Sequence, residues 1–250
     1  TTDHAMPFPG AKASSFDSGH RCPLIIYSPD QQRHGIRNQA LMNWVDFCPT
    51  ILQWCGIVHP DGAETLAGRS LLPILEDDGP HPGSEAWEET YFSHCFHEIT
   101  NYYPYRVLRG RRYKYVRNLA HQLDMPLPSD LFRSMTWAAV RKDDIDMLGQ
   151  RARQDFLHQT YEALFDMQND PAESKSLINE PALADIVAEM RRKLGPGVLL
   201  PLMTGKYFQP RAFWRIKRRP SVFCASHQRG SLAFSSFKNE GRPSPVRREP

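Results

Sequence analysis

Tyr105-Arg106-Val107-Leu108-Arg109-Gly110-Arg111-Arg112-Tyr113-Lys114-Tyr115-Val116-Arg117 is the stretch from which the fold is read. Tyr, Val and Leu alternate with long basic side chains on either side of one glycine, the composition of half-buried strands. The Arg109-Gly110-Arg111 link is short enough for a hairpin, so Tyr105–Arg109 and Tyr113–Arg117 are predicted to pair antiparallel. Glu89–Cys95 has the same make-up and supplies a third strand.

On the N-terminal side, Pro23-Leu24-Ile25-Ile26-Tyr27 is a short apolar run bounded by Pro and by Ser28-Pro29-Asp30, and it reads as a buried strand. From Asn38 to Cys55, Leu41, Trp44, Val45, Cys48, Ile51, Leu52 and Cys55 recur at helical spacing, with Gly56 as the stop. Pro49 makes this two helical pieces or one kinked helix. A strand followed by a helix is the element pair of an α/β sheet. On the C-terminal side, helices are expected in parts of Ser129–His158, and Leu183, Ile186, Val187, Met190 and Leu194 line a helix closed by Gly195. The expected organisation is an α/β portion over 1–85, an α+β subdomain over 86–200 and a basic, poorly ordered tail over 201–250.

The chain has 250 residues, 40% of them hydrophobic, enough for one large core or two smaller ones. No apolar run approaches the roughly 18 residues of a membrane helix. Five cysteines, odd in number and widely spaced, form neither a disulfide framework nor a zinc pattern. The net charge of +3 hides an asymmetry, because Arg211–Pro250 holds ten Lys/Arg against two Asp/Glu, leaving −5 for the first 210 residues. Such a patch can bind a polyanion, but it reads first as a solvated tail, and no nucleic acid is expected as a partner. The first residues are Thr-Thr-Asp-His, without an initiator Met or a signal pattern, so the chain is expected to begin inside a longer protein, and its localisation stays open.

The residues that bear chemistry begin with Thr1-Thr2-Asp3-His4-Ala5-Met6-Pro7-Phe8-Pro9-Gly10-Ala11-Lys12. Adjacent Asp and His in a loop leaving a strand can both reach one divalent cation; alternatively, Asp3 caps a turn. The stretch resembles the Thr-Ser-Asp-His/Asn-Gly motif of sulfatases, followed by the Pro-Phe-Pro and basic residue of their sulfamidase branch, the N-sulfoglucosamine sulfohydrolases. The resemblance runs on in order through Cys22-Pro23-Leu24-Ile25, Val45–Leu52, Gly68-Arg69-Ser70-Leu71-Leu72-Pro73, His97-Glu98-Ile99-Thr100 with Tyr103-Pro104 and Arg106, and Glu162–Asp166 with Asp170-Pro171 and Glu173. It covers about residues 1–195. Asp46, Arg69, Asp166 and Asp170 fall in these motifs but read as caps or structural pairs.

The resemblance implies the C-terminal portion of an alkaline-phosphatase-like α/β sulfatase sheet, with a smaller α+β C-terminal subdomain. It implies hydrolysis of sulfate esters or N-sulfate groups of amino sugars, with a sulfated sugar or glycosaminoglycan as the substrate. Asp3 and His4 would be metal ligands, for Ca²⁺ or, given the softer His, for Mn²⁺. Lys12 would be the catalytic cation at the sulfuryl group, and His97, Glu98 and Arg106 would shape the sugar pocket. The family's nucleophile is a formylglycine made from Cys in a Cys-x-Pro/Ala-x-Arg motif. No cysteine here fits it, so the nucleophile is expected upstream and the chain alone is expected to be inactive. Ala5 departs from the family Gly after the metal pair, and the loop around Ser18 and His20 departs too. The resemblance allows a periplasmic, secreted or lysosomal location, and an oligomer. Two other readings remain: a phosphonate or phosphate ester hydrolase of the same superfamily, and an inactive polyanion-binding remnant.

Overall fold

β2 (Asn101–Gly110) and β3 (Tyr113–Asn118) form the expected hairpin in the computed structural model, antiparallel, with Arg109 opposite Lys114 and Arg111-Arg112 at the tip. The structure describes residues 1–195 except 5, 60, 61, 63, 64 and 76–86. Ala5 and the basic tail over 201–250 lie outside the described residues. Contacts divide the chain into Thr1–Gln209 and Pro210–Pro250, and every element named here belongs to the first unit.

β1 (Glu89–His97) flanks β2, with Tyr91 opposite Leu108, and β6 (Glu162–Asp166) flanks β3, with Val116 opposite Ala163. The sheet is antiparallel throughout, in the order β1-β2-β3-β6. Between β3 and β6 run α3 (Ser129–Phe132), α4 (Met135–Lys142), the two-residue strands β4 (Met147–Leu148) and β5 (Arg151–Ala152), and α5 (Arg153–Leu157). These lie in the segment where helices were expected. The predicted C-terminal helix is α6 (Ala184–Lys193).

Strand alternation gives the sheet two apolar faces. Tyr105, Val107, Val116 and Phe165 pack with Phe16, Leu131, Trp137 and Phe156 on one. Leu108, Tyr115 and Leu164 pack with Val187, Met190 and Leu194 of α6 on the other. Leu108 and Leu164 are fully buried, and truncating either to Ala would cost about 2–5 kcal/mol.

The N-terminal part differs from its reading. Pro23–Tyr27 forms no ladder; Leu24 and Ile26 pack on a small cluster of Leu71, Ile74 and Trp87, while Ile25 and Tyr27 are exposed. The residues alternate as a strand would, but among the described residues no strand lies alongside to accept their hydrogen bonds. The helix expected from Asn38 begins only at a 3-10 turn, Trp44–Asp46, capped by Asn43, and continues as α2 (Phe47–Trp54). Pro49 falls in the first turn of α2, where its missing N–H has no partner to lose. Gly56, at φ +64°, ends the helix as expected.

α1 (Asp17–His20) is fixed to the sheet by buried charges. Lys114, with no exposed side-chain surface, places Nζ 2.6 Å from Glu173 Oε1 and 3.1 Å from Asp17 Oδ1. Arg109 Nε is 3.1 Å from Asp17 Oδ2, and the Asp17 amide donates to Glu173 Oε2 at 2.6 Å. Burial opposes ionisation of Asp17, yet Lys114 and Arg109 outweigh it and hold the carboxyl below its usual range. For Glu173 burial prevails and pushes the carboxyl up despite Lys114. Removing one partner strands a buried charge, so Glu173→Ala should lower the unfolding free energy by about 3–5 kcal/mol. Lys114→Met with Glu173→Leu should lose much less, and equal urea midpoints for the single and double variants would contradict this.

Candidate functional site

The loop that carries Lys12 is held by short side-chain to backbone bonds. Ser14 Oγ donates to Gly10 O at 2.7 Å and to Ala11 O at 2.8 Å, and Ser18 Oγ donates to Gly10 O at 2.5 Å. Gly10 sits at φ +81°, where a side chain would be strained, and a Cβ there would meet Arg151 Nη1 at 2.7 Å. The loop therefore leaves Lys12 little freedom. Its Nζ lies 2.6 Å from Asp130 Oδ2, and its side chain is 16% exposed.

Glu98 reaches the same place from the turn between β1 and β2. α3 is preceded by Pro128, which offers no side-chain acceptor. Glu98 Oε1 fills that role from afar, accepting from the Ser129 amide at 3.0 Å and the Ser129 hydroxyl at 2.7 Å. The Ser129 hydroxyl bond is the main reason that the Glu98 carboxyl is held below its usual range. Glu98 adopts φ +57°, a conformation that costs a non-glycine residue about 1–2 kcal/mol. Among the described residues Oε2 carries no hydrogen bond and stays open to a ligand. His97 Nε2 lies 4.0 Å from Glu98 Oε1.

Lys12 and Glu98 thus converge on Ser129–Asp130, with His97 beside Glu98, while the other candidates make their contacts elsewhere. Arg106 Nη1 donates to the backbone carbonyls of His94 (3.2 Å) and Tyr105 (2.9 Å), an engagement with β1 and β2 rather than with an anion. Asp3 and His4 meet each other, with Oδ2 3.2 Å from Nε2, and the Asp3 side chain is 85% exposed. Among the described residues no group of three or more His, Cys, Asp or Glu could hold a metal ion. The residues read as caps behave so. Asp46 closes a capping box with Asn43 and accepts from the Arg69 amide, Asp166 accepts from the amides of Gln168 and Asn169, and Asp170 accepts from those of Ser174 and Lys175.

Sequence reading missed Ser129 and Asp130. Pro128-Ser129-Asp130 carries a helix-start signal, but nothing local tells that Asp130 meets a lysine 118 positions away. It also missed His94. His94 stacks on Tyr105 at 5.1 Å between ring centroids, and Tyr105 Oη lies 3.1 Å from His20 Nε2.

Residues 11–127 match the family described as N-sulphoglucosamine sulphohydrolase, C-terminal. The human N-sulphoglucosamine sulphohydrolase is 30% identical over 204 residues, which are 78% of this chain and 39% of that protein. An ulvan-active sulfatase of Formosa agariphila is 28% identical over 77% of this chain and 31% of its own length. A solved 2-O GAG sulfatase overlays with a TM-score of 0.37 at 24% identity, covering 67% of this chain and 26% of that one. The chain spans about a third of the length of these sulfatases.

Both histidines of the Tyr105 group titrate near 4. Burial lowers His20 most, and Lys114 and His94 lower it further; His94 is lowered by burial and by His97. Because the folded values lie below the unfolded one, the unfolded chain binds more protons between pH 4 and 6.5. Stability is complete above that window and falls as the pH drops through it. For His20 the shift corresponds to on the order of 3 kcal/mol. Urea midpoints at pH 7 and pH 4.5 should differ clearly in the wild type and less in His20→Gln, and an equal difference in both would contradict the assignment.

Proposed function

We propose that this chain supplies the metal- and substrate-contacting part of a sulfohydrolase acting on N-sulfated or O-sulfated amino sugars, with a formylglycine nucleophile from sequence beyond these 250 residues. The observation that carries the reading is the meeting of Lys12 and Glu98 at the start of α3, since each comes from a separate sulfamidase-like motif. The match of residues 11–127 and the 30% identity to the human sulfohydrolase support it.

Asp3 and His4 offer a carboxylate and an imidazole side by side in an open loop, which suits two positions of a larger shell around Ca²⁺, with Mn²⁺ as the alternative. Such a cation would screen the sulfuryl oxygens and lower the nucleophile's pKa. Lys12 provides a fixed point charge for the sulfuryl group or the leaving atom. Asp130, bonded to it at 2.6 Å, limits its rotamers. Glu98, anchored through Oε1, presents Oε2 to a sugar hydroxyl or amine, and His97 stands beside it. Arg106, bonded to the carbonyls of His94 and Tyr105, contributes by holding β1 to β2 near the His97–Glu98 turn.

In the complete protein, Glu98→Gln should lower kcat/KM for N-sulfated glucosamine by roughly one to two decades. A small aryl sulfate, which does not reach the turn, should be nearly unaffected; equal losses on both substrates would reject a substrate contact. Lys12→Ala should depress turnover of both substrates by at least about a hundredfold while metal content is retained. Asp3→Ala should lower metal content and activity together. Wild-type turnover in either variant would remove that residue from the site.

A further inference from the structure

A cavity of about 220 Å³ opens between Ser15-Phe16, β3, β6 and the turn at 173–176, and none of the candidate site residues lines it. Phe16, Val116, Ala163 and Phe165 form its apolar wall, and Arg151 and Lys175 line it with charge. Arg151 is only 8% exposed. Its guanidinium lies 3.4 Å above the Phe16 ring, with Nε donating to Glu173 O at 3.2 Å and Nη2 to Ala172 O at 2.5 Å. Among the described residues no carboxylate oxygen lies within 4 Å of it.

The neighbouring carboxylates are already engaged. Glu173 is taken by Lys114 and by the Asp17 amide, and Asp17 by Lys114 and Arg109. Asp170, which accepts from the amides of Ser174 and Lys175, and Asp155 also act on Arg151 through space, but neither reaches within 4 Å of its guanidinium. A buried charge without a counter-ion in direct contact is costly, and carbonyl dipoles and more distant carboxylates offset only part of that cost. Lys175 adds a second cation on an exposed side chain that has no partner among the described residues. Asp155 at the mouth is the opposing charge, while His158 is engaged by Asp124 at 2.5 Å. The volume is below the roughly 300–1,000 Å³ of sites for drug-sized ligands. It suits a single ring with one charged group.

We propose that this cavity binds a small organic monoanion, a ring-bearing carboxylate or sulfate ester, with its charge on Arg151 and Lys175 and its ring against Phe16 and Phe165. The anion gives the buried Arg151 a counter-ion in direct contact, and the apolar wall selects against hydrated inorganic ions. The cavity shares no lining residue with the Lys12–Glu98 region.

The test is ligand-detected NMR titration of the 250-residue chain with benzoate, phenyl sulfate, inorganic sulfate and neutral benzamide. At least one of benzoate and phenyl sulfate should bind saturably, and which of them binds more tightly identifies the carboxylate or the sulfate ester as the preferred group. Inorganic sulfate and benzamide should bind roughly tenfold more weakly or not at all. Arg151→Gln and Ala163→Leu, the latter filling the cavity without touching the charges, should each weaken binding by roughly tenfold or more, whereas Lys12→Ala should leave it unchanged. Should Arg151→Gln fail to fold, Ala163→Leu and the exposed Lys175→Ala carry the test. No saturable binding up to on the order of 10 mM, equal binding of benzamide, or binding unaffected by Ala163→Leu would overturn the proposal.

Discussion

Lys114 carries an ammonium group into the core on β3, between Tyr113 and Tyr115, which pack on the α6 side of the sheet. Its burial requires a carboxylate, and Glu173 and Asp17 supply two. Asp17 begins α1 in the N-terminal segment and Glu173 lies just beyond β6, so one buried cation joins three distant parts of the chain. Glu173 holds φ +53° to do so. Such strain persists where surrounding contacts over-determine it, and here both of its carboxylate oxygens are bonded. Ion pairs of this kind add little stability over apolar packing but are costly to break singly. Their effect here is to define where the N-terminal loop lies.

That placement reaches the candidate site in a few steps. Phe16 is buried under Arg151, Ser14 and Ser18 bond to Gly10, and Gly10 brings Lys12 to Asp130. Glu98 arrives from the other side through the Ser129 bonds. Neither α3, four residues long, nor the turn at Glu98 would define a position alone. Together, a loop fixed by charge and a turn fixed by capping hold a cation and a carboxylate at one end of the sheet.

The parts legible in the sequence are those set by local physics. The Tyr105–Arg117 hairpin follows from composition and a short link, α6 from its apolar stripe, and the end of α2 from Gly56. What failed needed partners. Pro23–Tyr27 has strand composition but no neighbouring strand among the described residues, so it runs unpaired with Ile25 and Tyr27 exposed. Residues 38–43 continue the helical spacing of apolar positions, yet the Asn43 capping box starts the helix at Trp44. Nothing in the sequence marks β6 as a strand, because Glu162–Asp166 is five residues long and buries Leu164 and Phe165 on opposite faces, which leaves no polar alternation. Asp130 and the buried Arg151 could not be read at all, since their contacts are set by tertiary packing. The six residues drawn from the sulfamidase resemblance divide likewise: Lys12 and Glu98 meet at the start of α3 with His97 beside Glu98, Arg106 is committed to backbone carbonyls, and Asp3 and His4 bond to each other.

The central claim is that the Lys114 charge cluster holds the N-terminal loop, and with it Lys12, as firmly as the sheet itself. Native-state hydrogen exchange of the Asp17 amide, which donates to Glu173, tests it most directly. The account predicts that this amide exchanges only with the free energy of global unfolding, matching the amides of β3. Exchange of the Asp17 amide by a low-energy local opening, while β3 remains protected, would contradict it and leave Lys12 on a loop that the core does not fix.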